Sequence, residues 1–260
     1  MENYRLLLVL ATLAFIGGLV HAVVVLKKGG WRESRWHLLP MALGFALQTA
    51  FLYFRGRALG QCPMKSLPDI LVFIAWSIAL LYFLVGGAYR LSLLGLFTAP
   101  LVAAMQILAL LLPGSFGAYP AKDRIIPLVE LHAAVALIAY AAFALACITG
   151  VMYLMQERML KRHRIGGLFY QLPPIQDLAK SIRRLALLGL MLLTAALGMS
   201  MALHHPVSSP KVIFAWAVWL LYGGMSVVMC RHMLSPRQTA WLAVVGFVVP
   251  FMSLWLVTGK

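Results

Sequence analysis

Acidic residues are scarce, with seven Asp and Glu against 22 Lys and Arg in 260 positions. Charged residues of both signs make up only 11% of the chain, so long stretches hold no charge and a water-soluble fold is excluded. Cysteine is nearly absent. Cys62, Cys147 and Cys230 lie far apart and form no Cys-x-x-Cys pair, which excludes a disulfide framework and a thiol relay. There is no Walker A sequence, no Gly-x-Gly-x-x-Gly fingerprint, no His-Glu-x-x-His and no Gly-x-Ser-x-Gly elbow. No hydrophobic run carries a pair of carboxylates for proton coupling. ATP-driven transport within this chain, membrane proteolysis and ordinary ion antiport all lose support.

What the chain has in quantity is apolar residues, 63% of the total with a mean hydropathy of +0.91. That is about 164 positions, and at about 20 residues per bilayer crossing it allows roughly eight crossings. Breaks at charge, Pro and Gly put the spans near 6–26, 38–54, 67–85, 91–112, 128–155, 185–203, 212–230 and 239–257. The expected fold is an all-α, polytopic membrane bundle of about eight helices, with residues 1–260 forming a single membrane domain. The apolar run 6–26 is too long for a signal h-region and is followed by Lys27, Lys28, Arg32 and Arg35, so it reads as a retained first span.

A net charge of +15 would point to nucleic acid in a soluble protein. Here the basic residues sit in short clusters between apolar runs, the positive-inside pattern of a multi-pass protein of the bacterial inner (cytoplasmic) membrane, with lipid rather than nucleic acid as its surroundings. With both termini outside, 14 Lys and Arg fall on inner segments and eight on outer ones, and seven of the 14 lie in the loop 156–184. Within that loop Ile175, Leu178 and Ile182 share one helical face while Asp177, Lys180, Arg183 and Arg184 point elsewhere, a pattern that predicts a short interfacial helix. No repeat of fixed period is visible.

Polar residues in apolar runs carry the functional signal. His132 opens the fifth span at its expected outer end, where an imidazole can ligate haem iron or simply bond at the interface. His204 and His205, in the loop between the sixth and seventh spans, fall on the same face of the membrane. Two opposed histidines could clamp a haem, with Trp216, Trp219 and Trp255 packing at its edge or serving as an aromatic belt. Zinc held by three histidines and water is the rival ligand. His21 reads as a packed residue of the first span; His37, His163 and His232 accompany basic loops; Asp69 and Glu130 suit helix N-termini.

The stretch ELHAAVALIAYAAFALACITGVMYLMQERMLKRH, followed by LPPIQDLAKSIRRLALLGLMLLTAALGM, resembles the CcsA/CcmC-type cytochrome c assembly proteins. The matching features are a histidine opening a helix with a Tyr-Ala pair eight residues on (His132, Tyr140, Ala141), a basic loop, a helix begun by Leu172 and Pro173 with Leu178 in it, and a span ending near a glycine, Gly198. Similarity extends through CPMKSLPDILVFIAW, YRLSLLGLFTAPL and SPKVIFAWAVWLLYG, about residues 60–255. The resemblance implies haem as cofactor, handled at the outer face for attachment to apocytochrome c, and a membrane partner of the CcsB/ResB type.

It also implies a first outer histidine at His132, and it aligns Pro210 and Lys211 with the Pro-Lys of the family's tryptophan-rich loop, WGxxWxWDPKE. This chain departs from that loop: it reads HHPVSSPKV, with Ser209 in the Asp position and Val212 in the Glu position, and residues 233–260 hold no second histidine. A haem-handling assembly protein, acting within a haem-attachment system, and a non-catalytic scaffold of the same fold are the two readings.

Reporter fusions at Arg162 should behave as cytoplasmic, because the loop holding seven of the basic residues is placed inside. An exported reporter at that position would overturn the topology.

Overall fold

A computed structural model describes residues 3–27, 38–64, 66–89, 94–112, 116–117, 126–163, 169, 172–203, 210–231 and 233–252. Among them eight α-helices occur and no strand: α1 (Asn3–Lys27), α2 (Leu39–Leu59), α3 (Leu67–Tyr89), α4 (Leu94–Leu111), α5 (Pro127–Lys161), α6 (Ile175–Ala202), α7 (Pro210–Cys230) and α8 (Pro236–Gly246). The all-α bundle expected from composition is therefore present. Six of the eight helices are long and apolar enough to cross a membrane. The other two are α2, which holds Gln48, Arg55 and Arg57, and α8, which has 11 residues before the chain turns at Phe247 and resumes helically to residue 252.

Local sequence sets the helix ends. Pro40, Pro127 and Pro236 enter at first-turn positions, where a missing N–H is harmless. The turn Ser235 to Gln238 is a reciprocal capping box. Gly60 ends α2 with φ 64°, a left-handed conformation that glycine takes without a Cβ penalty, and its N–H bonds the Arg57 carbonyl.

Several helix boundaries differ from the sequence expectation, those of α5 and α6 most of all. Helix α5 has 35 residues, about 52 Å, and continues through Glu157 and Arg158 into the stretch read as loop. Its C-terminal end is tied by Glu157, which pairs with Lys161 at 2.8 Å and with Arg237 at the start of α8 at 3.4 Å. The expected interfacial helix is not a separate element. Ile175 begins α6, which runs unbroken for 28 residues to Ala202, so the amphipathic stretch is the first part of a spanning helix. Its faces are as expected, with Leu178 and Ile182 buried and Lys180 and Arg184 exposed. The basic residues do not break the helix because their long stems let the charges leave the apolar layer.

The chain divides into two compact units. In unit 1, α1 packs on α2 and α4, and α3 packs on α2 and α4. Leu8, Phe51, Leu71, Val72, Ala109 and Phe116 form a core cluster there, and the Phe15 ring lies directly over Gly44, where any Cβ would overlap it. In unit 2, α5 packs on α6 and α8, and α7 packs on α6 and α8. The run Ala141 to Ala146 on α5 is wholly buried. Small residues of this kind let helix backbones approach closely where lipid supplies no hydrophobic drive. Phe143 uses that closeness: it seats over Gly189 of α6 and stacks on Tyr222 of α7, ring centroids 3.6 Å apart.

Overpacking such a seam destabilises by about 1–3 kcal/mol. Ala142→Leu and Gly189→Leu should each lower the melting midpoint in detergent by several degrees, while Ala195→Leu, at an exposed position, should leave it unchanged. Equal midpoints for all three would refute the close-packed seam.

Candidate functional site

His132 sits in the second turn of α5, after Ile126 in an extended conformation, Pro127 at the first helical position and Glu130 in the first turn. The ring is half-buried, with Nδ1 2.8 Å from the carbonyl oxygen of Ala196 on α6. A carbonyl only accepts, so Nδ1 is the donor in this bond. Metal-ligating histidines are commonly held in this way, the second ring nitrogen fixing tautomer and orientation. Ala196 lies two turns from Gly189 on the same buried face of α6, so the Phe143 wedge and the His132 bond both fasten α5 to that face.

Trp216 and Trp219 form an edge-to-face pair on α7, centroids 5.5 Å apart. The Trp219 indole N–H donates to Thr194 Oγ1 at 2.9 Å, and that hydroxyl donates to the Leu190 carbonyl at 2.7 Å. Thr194 and Ala196 are two residues apart on α6, about 200° around the helix. The helix therefore presents His132 and the tryptophan pair with opposite sides.

His204, His205 and Ser209 fall outside the described residues, as do Trp255, His37 and His232. Pro210 opens α7 and Lys211 lies in its first turn. His21 is exposed on α1, and His163 is exposed just beyond α5 with φ 51°. Among the described residues no group of three or more His, Cys, Asp or Glu gathers in a way that could hold a metal ion.

Sequence reasoning missed Arg55. Its side chain is 2% exposed and pairs with fully buried Asp69, Nε to Oδ1 at 3.2 Å and Nη2 to Oδ2 at 3.3 Å. Nη1 donates to the Phe116 carbonyl at 2.8 Å and to Tyr4 Oη at 3.4 Å, and Nη2 donates to the Gly117 carbonyl at 2.7 Å. Ser66 Oγ donates to Asp69 Oδ2 at 2.6 Å. The Arg55 guanidinium also stands over the Tyr4 and Phe116 rings, 5.6 and 5.8 Å from their centroids. Asp69 is thus more than a carboxylate at a helix N-terminus: it is the counter-ion of the one buried cation among the described residues. The signal was Gly60, which as a C-terminal glycine carries α2 past Arg55 instead of ending the span at 54.

Residues 64–258, three quarters of the chain, match the family described as Cytochrome C assembly protein. Protein HemX of Brevibacillus brevis is 29% identical over 156 residues, 59% of this chain and 57% of that protein. Protein HemX of Bacillus subtilis (strain 168) is 23% identical over 189 residues, 70% of this chain and 68% of that protein. The chain thus spans less than two thirds of the length of the Brevibacillus relative. With the family match covering α3 to α8 and the helices long and apolar enough to cross a membrane, the chain belongs to the cytochrome c assembly protein family and is a multi-pass membrane protein related to cytochrome c biogenesis.

Proposed function

We propose that the protein handles haem at the outer face of the bacterial inner membrane and presents it for attachment to apocytochrome c. The observation that carries this reading is the bond from His132 Nδ1 to the Ala196 carbonyl, which sets the ring in the tautomer that ligates through Nε2. A neutral imidazole is a proper axial ligand for haem iron, and a half-buried place beside apolar helices suits the macrocycle. Bound there, haem would supply the vinyl groups that receive the cysteine thiols of the apocytochrome. The chain's own residues bind and orient: α6 aims the imidazole through Ala196, and Phe143 over Gly189 keeps α5 from sliding along α6.

His204 or His205 is the proposed second ligand. Ala196 stands six residues, about 9 Å of helix rise, before the end of α6 at Ala202, and the two histidines follow immediately in the sequence. That spacing supports a common end of unit 2 for all three rings. Zinc would need the same loop histidines. The Trp216 and Trp219 pair, on the side of α6 away from Ala196, is read as an interfacial aromatic belt instead of a haem wall. A CcsB/ResB-type partner with a large outer domain would hold the apocytochrome. A non-catalytic scaffold is the second reading, favoured by the loss of Trp and Asp from the loop 204–209.

Protein purified in detergent should show a Soret band, and His132→Ala should abolish it and lower cytochrome c maturation about tenfold or more, in line with the 10- to 100-fold effects seen even for groups behind a metal ligand. Full maturation in that variant would leave the scaffold as the better reading. Thr194→Val, which removes the Trp219 acceptor, should leave the Soret band in place, because the clasp is on the other side of α6. A lost band in this variant would return the tryptophans to the haem site.

A further inference from the structure

The two units are built alike. In each, the first helix packs on the second and fourth, and the third packs on the second and fourth; in unit 2 the second helix also packs on the short fourth one. In each, a phenylalanine of the first helix lies on a glycine of the second: Phe15 on Gly44, and Phe143 on Gly189. Five residues beyond each glycine stands a threonine, within Gly44-Phe-Ala-Leu-Gln-Thr49 and Gly189-Leu-Met-Leu-Leu-Thr194. Each threonine hydroxyl donates 2.7 Å to the carbonyl four residues back and accepts, at 2.9 Å, the indole N–H of a tryptophan on the third helix, Trp76 or Trp219.

These pairs fix a register: positions correspond by 128 residues on the first helix, 145 on the second and 143 on the third. The register then matches residues that played no part in setting it. Tyr4 corresponds to His132 and Phe51 to Ala196. Tyr4 packs edge-on against Phe51, centroids 6.0 Å apart, and His132 bonds the Ala196 carbonyl. Arg55 corresponds to Ser200 and Asp69 to Val212.

We propose that the chain is an internal duplication of one four-helix unit, and that the Tyr4, Arg55 and Asp69 cluster is the diverged counterpart of the His132 site. Internal repeats are a common way of building polytopic membrane proteins. In unit 1 that place is filled from within, because the guanidinium spends Nε, Nη1 and Nη2 on Asp69, Tyr4 and the Phe116 and Gly117 carbonyls. In unit 2 the same place holds an imidazole, with a serine and a valine where the charges would be. That only the second copy takes a ligand rests on the haem reading above; the duplication does not, and its test uses no haem signal.

The test gives unit 1 the residues of unit 2 in the full-length chain. Tyr4→His alone, and Tyr4→His with Arg55→Ser and Asp69→Val, are labelled with ¹⁵N-histidine and examined by NMR in lipid. If the register is right, the introduced imidazole meets the Phe51 carbonyl as His132 meets that of Ala196, and both rings are protonated at Nδ1. The triple variant should also melt above Asp69→Val, which strands a buried cation and should lower the midpoint by about 10 °C. An introduced ring protonated at Nε2 in either variant, or a triple variant that melts no higher than Asp69→Val, would overturn the duplication.

Discussion

Hydrocarbon offers no partner to a polar group, so each donor inside the bundle has to find its acceptor within the protein. The acceptor in constant supply is the second lone pair of helix carbonyls. Thr49, Ser77, Thr98, Thr149 and Thr194 all return their hydroxyl protons to the carbonyl four residues back. Gln48 reaches across to the Val72 carbonyl, Arg55 to those of Phe116 and Gly117, and His132 to that of Ala196. Backbone acceptors thereby orient Gln48, Arg55 and His132. The supply is not complete: among the described residues Gln156, Ser181, Tyr222 and Ser226 in unit 2 each hold a buried polar atom with no hydrogen-bond partner. Each such atom costs roughly 1–3 kcal/mol, so unit 2 is held mainly by its close-packed seam.

The spans were legible because apolar runs of about 20 residues have few other uses in a chain this short of charge. Their ends were not. A charge in the sequence marks no helix end here: α5 continues through Glu157 and Arg158 and α6 starts before Lys180, since a helix passing into the headgroup layer keeps its hydrogen bonds and turns its charges outward. His132 was visible as a polar residue opening an apolar run. Its partner was invisible, because the acceptor is the backbone of an alanine and has no side-chain signature. Arg55 was hidden by the same boundary error that ended α2 at residue 54.

The likeness of the two units was hidden for a different reason. The offsets of 128, 145 and 143 change with the longer first helix and longer connection of unit 2, so no fixed period survives in the sequence. Most of the shared face is generic Leu, Ala and Val. The residues that do carry the likeness are few and separated: a phenylalanine, a glycine, a threonine and a tryptophan in each unit. They matter because each solves a problem that generic apolar residues leave open. A glycine under a ring permits close approach, and a hydroxyl gives an indole N–H its acceptor.

The difference between the two equivalent places bears on function through charge. A buried ion pair is poor evidence of stability, because desolvating both ions offsets much of their attraction, but it fixes one arrangement. Around Arg55 that arrangement engages all three guanidinium nitrogens and ties α1, α2 and α3 together. A neutral imidazole needs no counter-ion, and the carbonyl bond at Nδ1 sets the direction of the His132 ring. The imidazole at His132 is a donor type that metal centres commonly use. The family match runs from residue 64 to 258 and so contains His132 and all of α5 to α8, whereas α1 and α2, which carry Tyr4 and Arg55, lie outside it.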